Sequence, residues 1–418
     1  MTRSTFADGL AGVRLTVGPL FHDMAMASRW HDPPRLRVLE DDEEDERHAT
    51  WLELFFDLVF VVAVAQLADG LAEDPSVHGF LVFAGLFVAV WWAWVGYTFY
   101  ADRFDTDDPP HRVLMIAGMF AVAALSSVIP DAFHGATVSF AIAYAGVRAV
   151  VVLLNARAWW HLPAARPLLN VYIPAFSASI LLFLVSAAVE PPYRYWLWAV
   201  ALTIDLGTPL ASAERIRKVP IHGSHIPERV GLFTIIVFGE SVLGVVVGTT
   251  TVSWGIESGA AAALGFAIAG ALWWIYFDYV DSSIVKRTIA AGQTYLYAHL
   301  PLLIGLAALG AGVKLAIKAT QDTGLTDEVS WIIGGGVALF MASVAVLHLV
   351  TTHSGRDVDV WLRLGSAVLA LGLGAVGEDL GVVPLLAVLA AALAAQIVVE
   401  LAHHDRHGHA EPGGIEIG

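Results

Sequence analysis

Carboxylates held in apolar surroundings bind cations or keep protons near neutral pH, because burial penalises their charged form. Glu53 and Asp57 stand in WLELFFDLVFVVAVAQLAD, residues 51–69, with Gln66 further along. Four residues apart, they lie about 40° apart around a helix, on the side shared by Phe60 and Val64. Glu240 falls in the middle of the apolar run that follows HIPER. Ser241 comes next, then Gly244 and Gly248 in the GxxxG spacing that lets a second helix approach closely. His225, Glu228 and Arg229 open that stretch. Asp278 stands in WWIYFDYVD, with Asp281 three residues on, and His299 opens a later run beside Pro301. An unperturbed imidazole titrates near neutral pH, so His299 could relay a proton. Asp205 lies deep in another apolar run, and Arg148 is a natural counter-charge for one of these acids.

Each residue also has a plainer reading. Glu53, near the start of its run, can reach water, and Glu228 beside Arg229 can cap a helix end. Glu240 can be a protonated or hydrogen-bonded structural acid. Trp91, Trp92, Trp94, Trp273 and Trp274 read as an interfacial aromatic belt rather than a stacking site.

The elements that must position these groups cross a membrane. The 418 residues are 57% hydrophobic and 15% charged, where a soluble domain carries roughly a quarter charged. Runs such as GFLVFAGLFVAVWWAWVGYTFY approach the ~20 residues that cross a bilayer as a helix. They lack the alternation of a transmembrane barrel. The expected fold is therefore all-α and polytopic, with about twelve spans: 51–68, 79–100, 112–130, 137–157, 169–189, 195–212, 230–249, 258–280, 295–317, 330–351, 359–377 and 381–402. An unpaired charge at mid-bilayer costs roughly 2.5–3.5 kcal/mol. The acids must therefore face the bundle interior, pair, or meet water.

With the N-terminus inside, 19 of the 23 basic residues fall in cytosolic segments, as the positive-inside rule requires. Both termini are expected to be cytosolic. WWAWVGYTFYADRFD and WWIYFDYVDSS resemble each other, and His111 and His299 follow their Trp pairs by 20 and 26 residues. The chain thus reads as two six-span halves in parallel repeat, 51–212 and 230–402, joined by a connector at 213–229. A disordered arm is expected at 1–50 and a His-rich disordered tail at 403–418.

The net charge of -16, with its acidic run at residues 40–46, argues against nucleic acid, which needs basic surface. Without cysteine there is no thiolate chemistry. The first fifty residues lack the apolar core of a secretory signal. The sets His222, His225, Glu228 and His403, His404, Asp405, His407, His409 do not match a closed tetrahedral zinc pattern. No metal and no cofactor are expected.

The stretches WLELFFDLVFVVAVAQLA, WWAWVGYTFYADRFDTDD, HIPERVGLFTIIVFGESVLG and WWIYFDYVD…YLYAHLPLLIG resemble the bacterial low temperature requirement protein A (LtrA) family, over about residues 48–402. Through those motifs the resemblance marks Glu53, Asp57, Gln66, Arg103, Asp105, His225, Glu228, Arg229, Glu240, Ser241, Asp278 and His299. It implies an integral protein of the bacterial inner membrane and carries no chemistry with it.

From the residues, three functions stay open. The first is a secondary transporter or channel-like carrier, in which Glu53 and Asp57 face Glu240, Asp278 and His299 around one wet pocket. Its partners would be the lipid bilayer and a small solute, cation or proton. Gln66, Arg103, Asp105, Arg148, Asp205, Glu228, Arg229 and Ser241 would form the supporting polar network. The second is an intramembrane enzyme or lipid-handling protein using His and acid groups. The third is a membrane scaffold whose polar residues only lock helices together.

Overall fold

The structure, a computed structural model, describes residues 34–36, 50–105, 108–219, 225–280, 288–321, 324–352 and 357–408. Among them are twelve long helices: α1 (Trp51–Glu73), α2 (Val77–Arg103), α3 (Pro109–Phe133), α4 (Thr137–His161), α5 (Arg166–Ser186), α6 (Tyr193–Ala211), α7 (His225–Thr250), α8 (Ile256–Tyr279), α9 (Ile289–Ala319), α10 (Asp327–Thr352), α11 (Val358–Leu380) and α12 (Val382–Gly408). Eleven are long and apolar enough to span a bilayer. The exception is α6, whose 19 residues include Arg194 and Asp205. The molecule is a polytopic helical membrane protein.

Local chemistry sets the helix starts. Thr50 caps α1, accepting from the Glu53 backbone while the Glu53 side chain accepts from the Thr50 backbone, a reciprocal capping box. Asp108 caps α3 ahead of Pro109 and Pro110, where a missing N–H costs nothing. α7 opens at His225, five residues before the expected span, because Pro227 is tolerated in a first turn and Glu228 favours it. α12 continues to Gly408, so the first residues of the expected disordered tail are helical. Most of the expected arm lies outside the described residues. Within it, β1 (Arg35–Leu36) pairs antiparallel with β2 (Phe104–Asp105), setting Arg35 opposite Asp105.

The first six helices and the last six share one neighbour order. In each set the first helix packs on the second and third, the third on the fourth, the fourth on the fifth, and the fifth on the sixth. The seam between the sets is formed mainly by α1 and α2 against α7 and α9. Within the second set, α7 and α9 approach to backbone contact. A Cβ placed on Gly244 would lie 2.5 Å from the Gly310 carbonyl oxygen. The starts of α1, α7 and α9 and the ends of α2 and α6 gather at one end of the bundle, here the lower end.

Candidate functional site

α2 carries two inward faces. Trp91, Trp94, Thr98 and Asp102 recur at helical spacing and are all buried. They turn toward α1 and α7, where five ionisable side chains meet at the lower end of the seam. Asp57 Oδ1 accepts from the Arg229 guanidinium at 2.5 Å and from Trp94 Nε1 at 2.7 Å. Glu53 Oε2 lies 3.3 Å from Arg229 Nη1 and 3.3 Å from His225 Nε2. The other imidazole nitrogen, Nδ1, is 3.1 Å from Asp102 Oδ1. Arg229 also lies over the Trp94 ring, 5.9 Å from its centroid. All five groups are buried.

Two chemical consequences follow. An ionised carboxylate only accepts hydrogen bonds, so His225 can satisfy both neighbours only as imidazolium, with two N–H donors. Otherwise Glu53 or Asp102 carries the proton. The proton therefore belongs to the trio. Charge counting gives the second consequence: three carboxylates face one permanent cation and one imidazole. The carboxylates therefore share their donors, and proton occupancy of one acid depends on that of the others.

The structure does not gather the predicted residues into one pocket. Glu53 and Asp57 sit in the seam cluster with His225 and Arg229. Glu240 lies about 16 Å beyond Arg229 along α7, within electrostatic reach of Asp69 and Lys314, which pair at 2.6 Å. His299 belongs to a third group. Its Nδ1 donates to the Tyr295 carbonyl at 2.6 Å, and its Nε2 lies 2.8 Å from the Tyr276 hydroxyl. Asp278 is exposed at the end of α8. The rise of the helices separates these acids, and the face occupied by Asp278 turns it outward. Asp281 and His222 lie outside the described residues.

The supporting residues are similarly dispersed. Arg148 on α4 pairs with Asp205 on α6 at 2.8 Å, and Ser179 on α5 and Tyr144 also donate to that carboxylate, at 2.9 and 3.4 Å. Ser241 donates to the Leu306 carbonyl at 3.3 Å. Gln66 and Glu228 are half-buried. Arg103 lies against Phe99 and Tyr172 on the opposite face of α2.

The aromatic-belt reading fails for α2. Trp91, Trp92 and Trp94 are 1%, 2% and 0% exposed, and Trp91 stacks on Trp94 at 4.8 Å. Trp94 joins the site itself through Asp57. On α8, Trp273 and Trp274 are exposed, as a belt requires. A helix that is apolar on every side does not declare which face is buried. Asp102 was also missed, since it precedes Arg103 at a span end and reads as loop chemistry. A further buried pair, Arg363 with Glu400 at 3.3 Å between α11 and α12, was hidden in the same way.

Among the described residues, His348, Asp357 and Asp359 have ligand atoms close enough to share a metal ion. Internal bonds account for their arrangement. Asp357 caps α11 through the Asp359 backbone and accepts from His348 at 3.0 Å. Partial burial works against ionisation of Asp357, but the hydrogen bonds from His348 and the Asp359 backbone outweigh it. They hold its carboxyl below the ordinary value.

Fold and seam together define a multi-span helical membrane protein with a buried, charge-rich junction. The chain belongs to the family of the bacterial low temperature requirement A protein (LtrA), whose model matches residues 48–401. It is similar to an uncharacterized protein of Rhizobium meliloti (strain 1021), at 30% identity over 334 residues, which cover 75% of this chain and 80% of that protein.

Proposed function

We propose that this protein is a carrier of the bacterial inner membrane, with both termini cytosolic. The cluster Glu53, Asp57, Asp102, His225 and Arg229 would bind a proton or small cation as the two six-helix sets move against each other. What carries this reading is the buried cluster of three carboxylates, one imidazole and one guanidinium on the seam between those sets. Coupled buried acids and an imidazole change their proton content when their surroundings change. Carriers built from repeats place coupling sites at such seams. The bias of basic residues toward one side supports the orientation.

The test is transport by the full chain in vesicles loaded with a pH-sensitive dye, with sodium, potassium or small carboxylates offered under an imposed gradient. Solute-dependent proton movement above that of empty vesicles is expected, and Asp57→Asn should abolish it while the protein still inserts. Equal traces from protein-containing and empty vesicles, across the panel, would remove the reading.

A further inference from the structure

The second inward face of α2 lines a cavity of about 350 Å³ between α2, α4, α5, α6 and α9, within the size range of small-molecule sites. Phe99 and Arg103 enter it from α2, Arg148 from α4, Tyr172 and Phe176 from α5, and Gln293 from α9. From the lower end of α4 to Arg148 is about 20 Å of helix, so the cavity reaches mid-bilayer depth. At its lower end stands the exposed Arg217, paired with Glu214.

Among the described lining residues, every charged side chain is an arginine. Two of them are buried and incompletely bonded. Arg148 uses Nη2 on Asp205, but its Nε and Nη1 are buried without an acceptor. Arg103 is 5% exposed, and its Nε likewise has no acceptor. Both guanidinium groups pack on rings: Arg148 lies 4.6 Å from the Phe176 centroid, and Arg103 lies 5.1 Å from Phe99 and 5.7 Å from Tyr172. Ring packing does not satisfy N–H donors, which remain costly to bury without a partner. Space is kept beside Arg148 by Gly96, where a Cβ would come within 2.8 Å of Nη1. Donor forks of this type match the paired oxygens of carboxylates and phosphates.

We infer that this cavity binds an oxyanion, carboxylate or phosphate, carried on a small apolar or aromatic body. Arg148 and Arg103 take the anion, and Phe99, Tyr172 and Phe176 enclose the body. The anion supplies the missing acceptors and the rings supply the dry walls. The inference concerns equilibrium binding, so it stands or falls independently of the vesicle assay.

The experiment is titration of the full-length protein in neutral detergent, by calorimetry and by melting shift, with benzoate, phenyl phosphate and uncharged benzamide. Benzoate or phenyl phosphate should bind and raise the melting temperature as concentration rises, with benzamide at least tenfold weaker. Arg103→Gln should weaken oxyanion binding by about ten- to a hundredfold, and Arg103→Lys by less. Repeating the benzoate titration in nanodiscs with and without phosphatidylglycerol separates two sources of the same chemistry. Competition by that lipid assigns the site to an anionic headgroup, and unchanged affinity assigns it to a free solute. Both results uphold an oxyanion site. Benzamide binding as tightly as benzoate, failure of all three probes, or unchanged affinity in Arg103→Gln overturns it. Should Arg103→Gln not fold, the benzoate–benzamide comparison on unaltered protein decides alone.

Discussion

Arg148 with Asp205 and Arg229 with Asp57 use the same side chains, equally buried, each cation leaning on an aromatic ring. Their settings differ. Arg148 and Asp205 lie within one six-helix set, one base to one acid, with Tyr144 and Ser179 donating to the carboxylate. Arg229 reaches across the seam into a group of three acids. Where charges balance inside one packed unit, an ion pair fixes helices in register. Where three acids share the cation and an imidazole, between units, the same pair is one part of a larger ionic cluster. Arg363 and Glu400, buttressed by Gln396, also lie within one set.

Replacing whole pairs gives the largest effect and the sharpest test of this contrast. Exchanging a balanced buried pair for apolar residues is often neutral, whereas leaving an uncompensated charge costs about 3–5 kcal/mol. The double variant Arg148→Met/Asp205→Leu should unfold in detergent within about 2 kcal/mol of the parent. Arg229→Met/Asp57→Leu should lose about 3–5 kcal/mol, because Glu53 stays buried and loses its 3.3 Å contact with Arg229. Equal losses in the two doubles would erase the distinction.

Intermediate effects should come from the neutral donors. Trp94→Phe keeps the ring but removes a 2.7 Å bond to Asp57, and a hydrogen bond to a charged group is worth about 1.5–3 kcal/mol. Tyr144→Phe removes a 3.4 Å contact with Asp205 and should cost about 0.5–1.5 kcal/mol. A reversed order, read from unfolding midpoints, would place the more demanding carboxylate on the wrong side.

A pH-dependent effect of similar size to that of Tyr144→Phe is expected outside the membrane. Asp357→Ala removes the α11 cap, at about 0.5–2 kcal/mol. Because the folded state holds this carboxyl below its ordinary value, its contribution is complete above the unfolded pKa. It fades as the pH falls through the lowered folded value. The stability gap between parent and variant should therefore narrow in acid, and a widening gap would contradict the assigned sign.

The spans were legible because crossing hydrocarbon demands about twenty apolar residues in a row, a signal that survives without knowing any neighbour. α6 was the faintest, since Arg194 and Asp205 dilute it for the sake of contacts the sequence does not display. Glu53 and Asp57 were readable as inward-facing, because lipid tolerates neither. Their partners were not. Glu240, Asp278 and His299 look equivalent along the chain, yet only depth and rotation decide what each one meets. Trp94 was misread and Asp102 was passed over for the same reason: an apolar helix end can face headgroups or a neighbouring acid with identical composition.

The touching backbones at Gly244 and Gly310 carry a mechanical consequence. Helices in such contact cannot slide or roll without colliding main chains, so α7 and α9 travel as a single beam. Any relative motion of the two six-helix sets would then fall along the seam that α1 and α2 make with this beam.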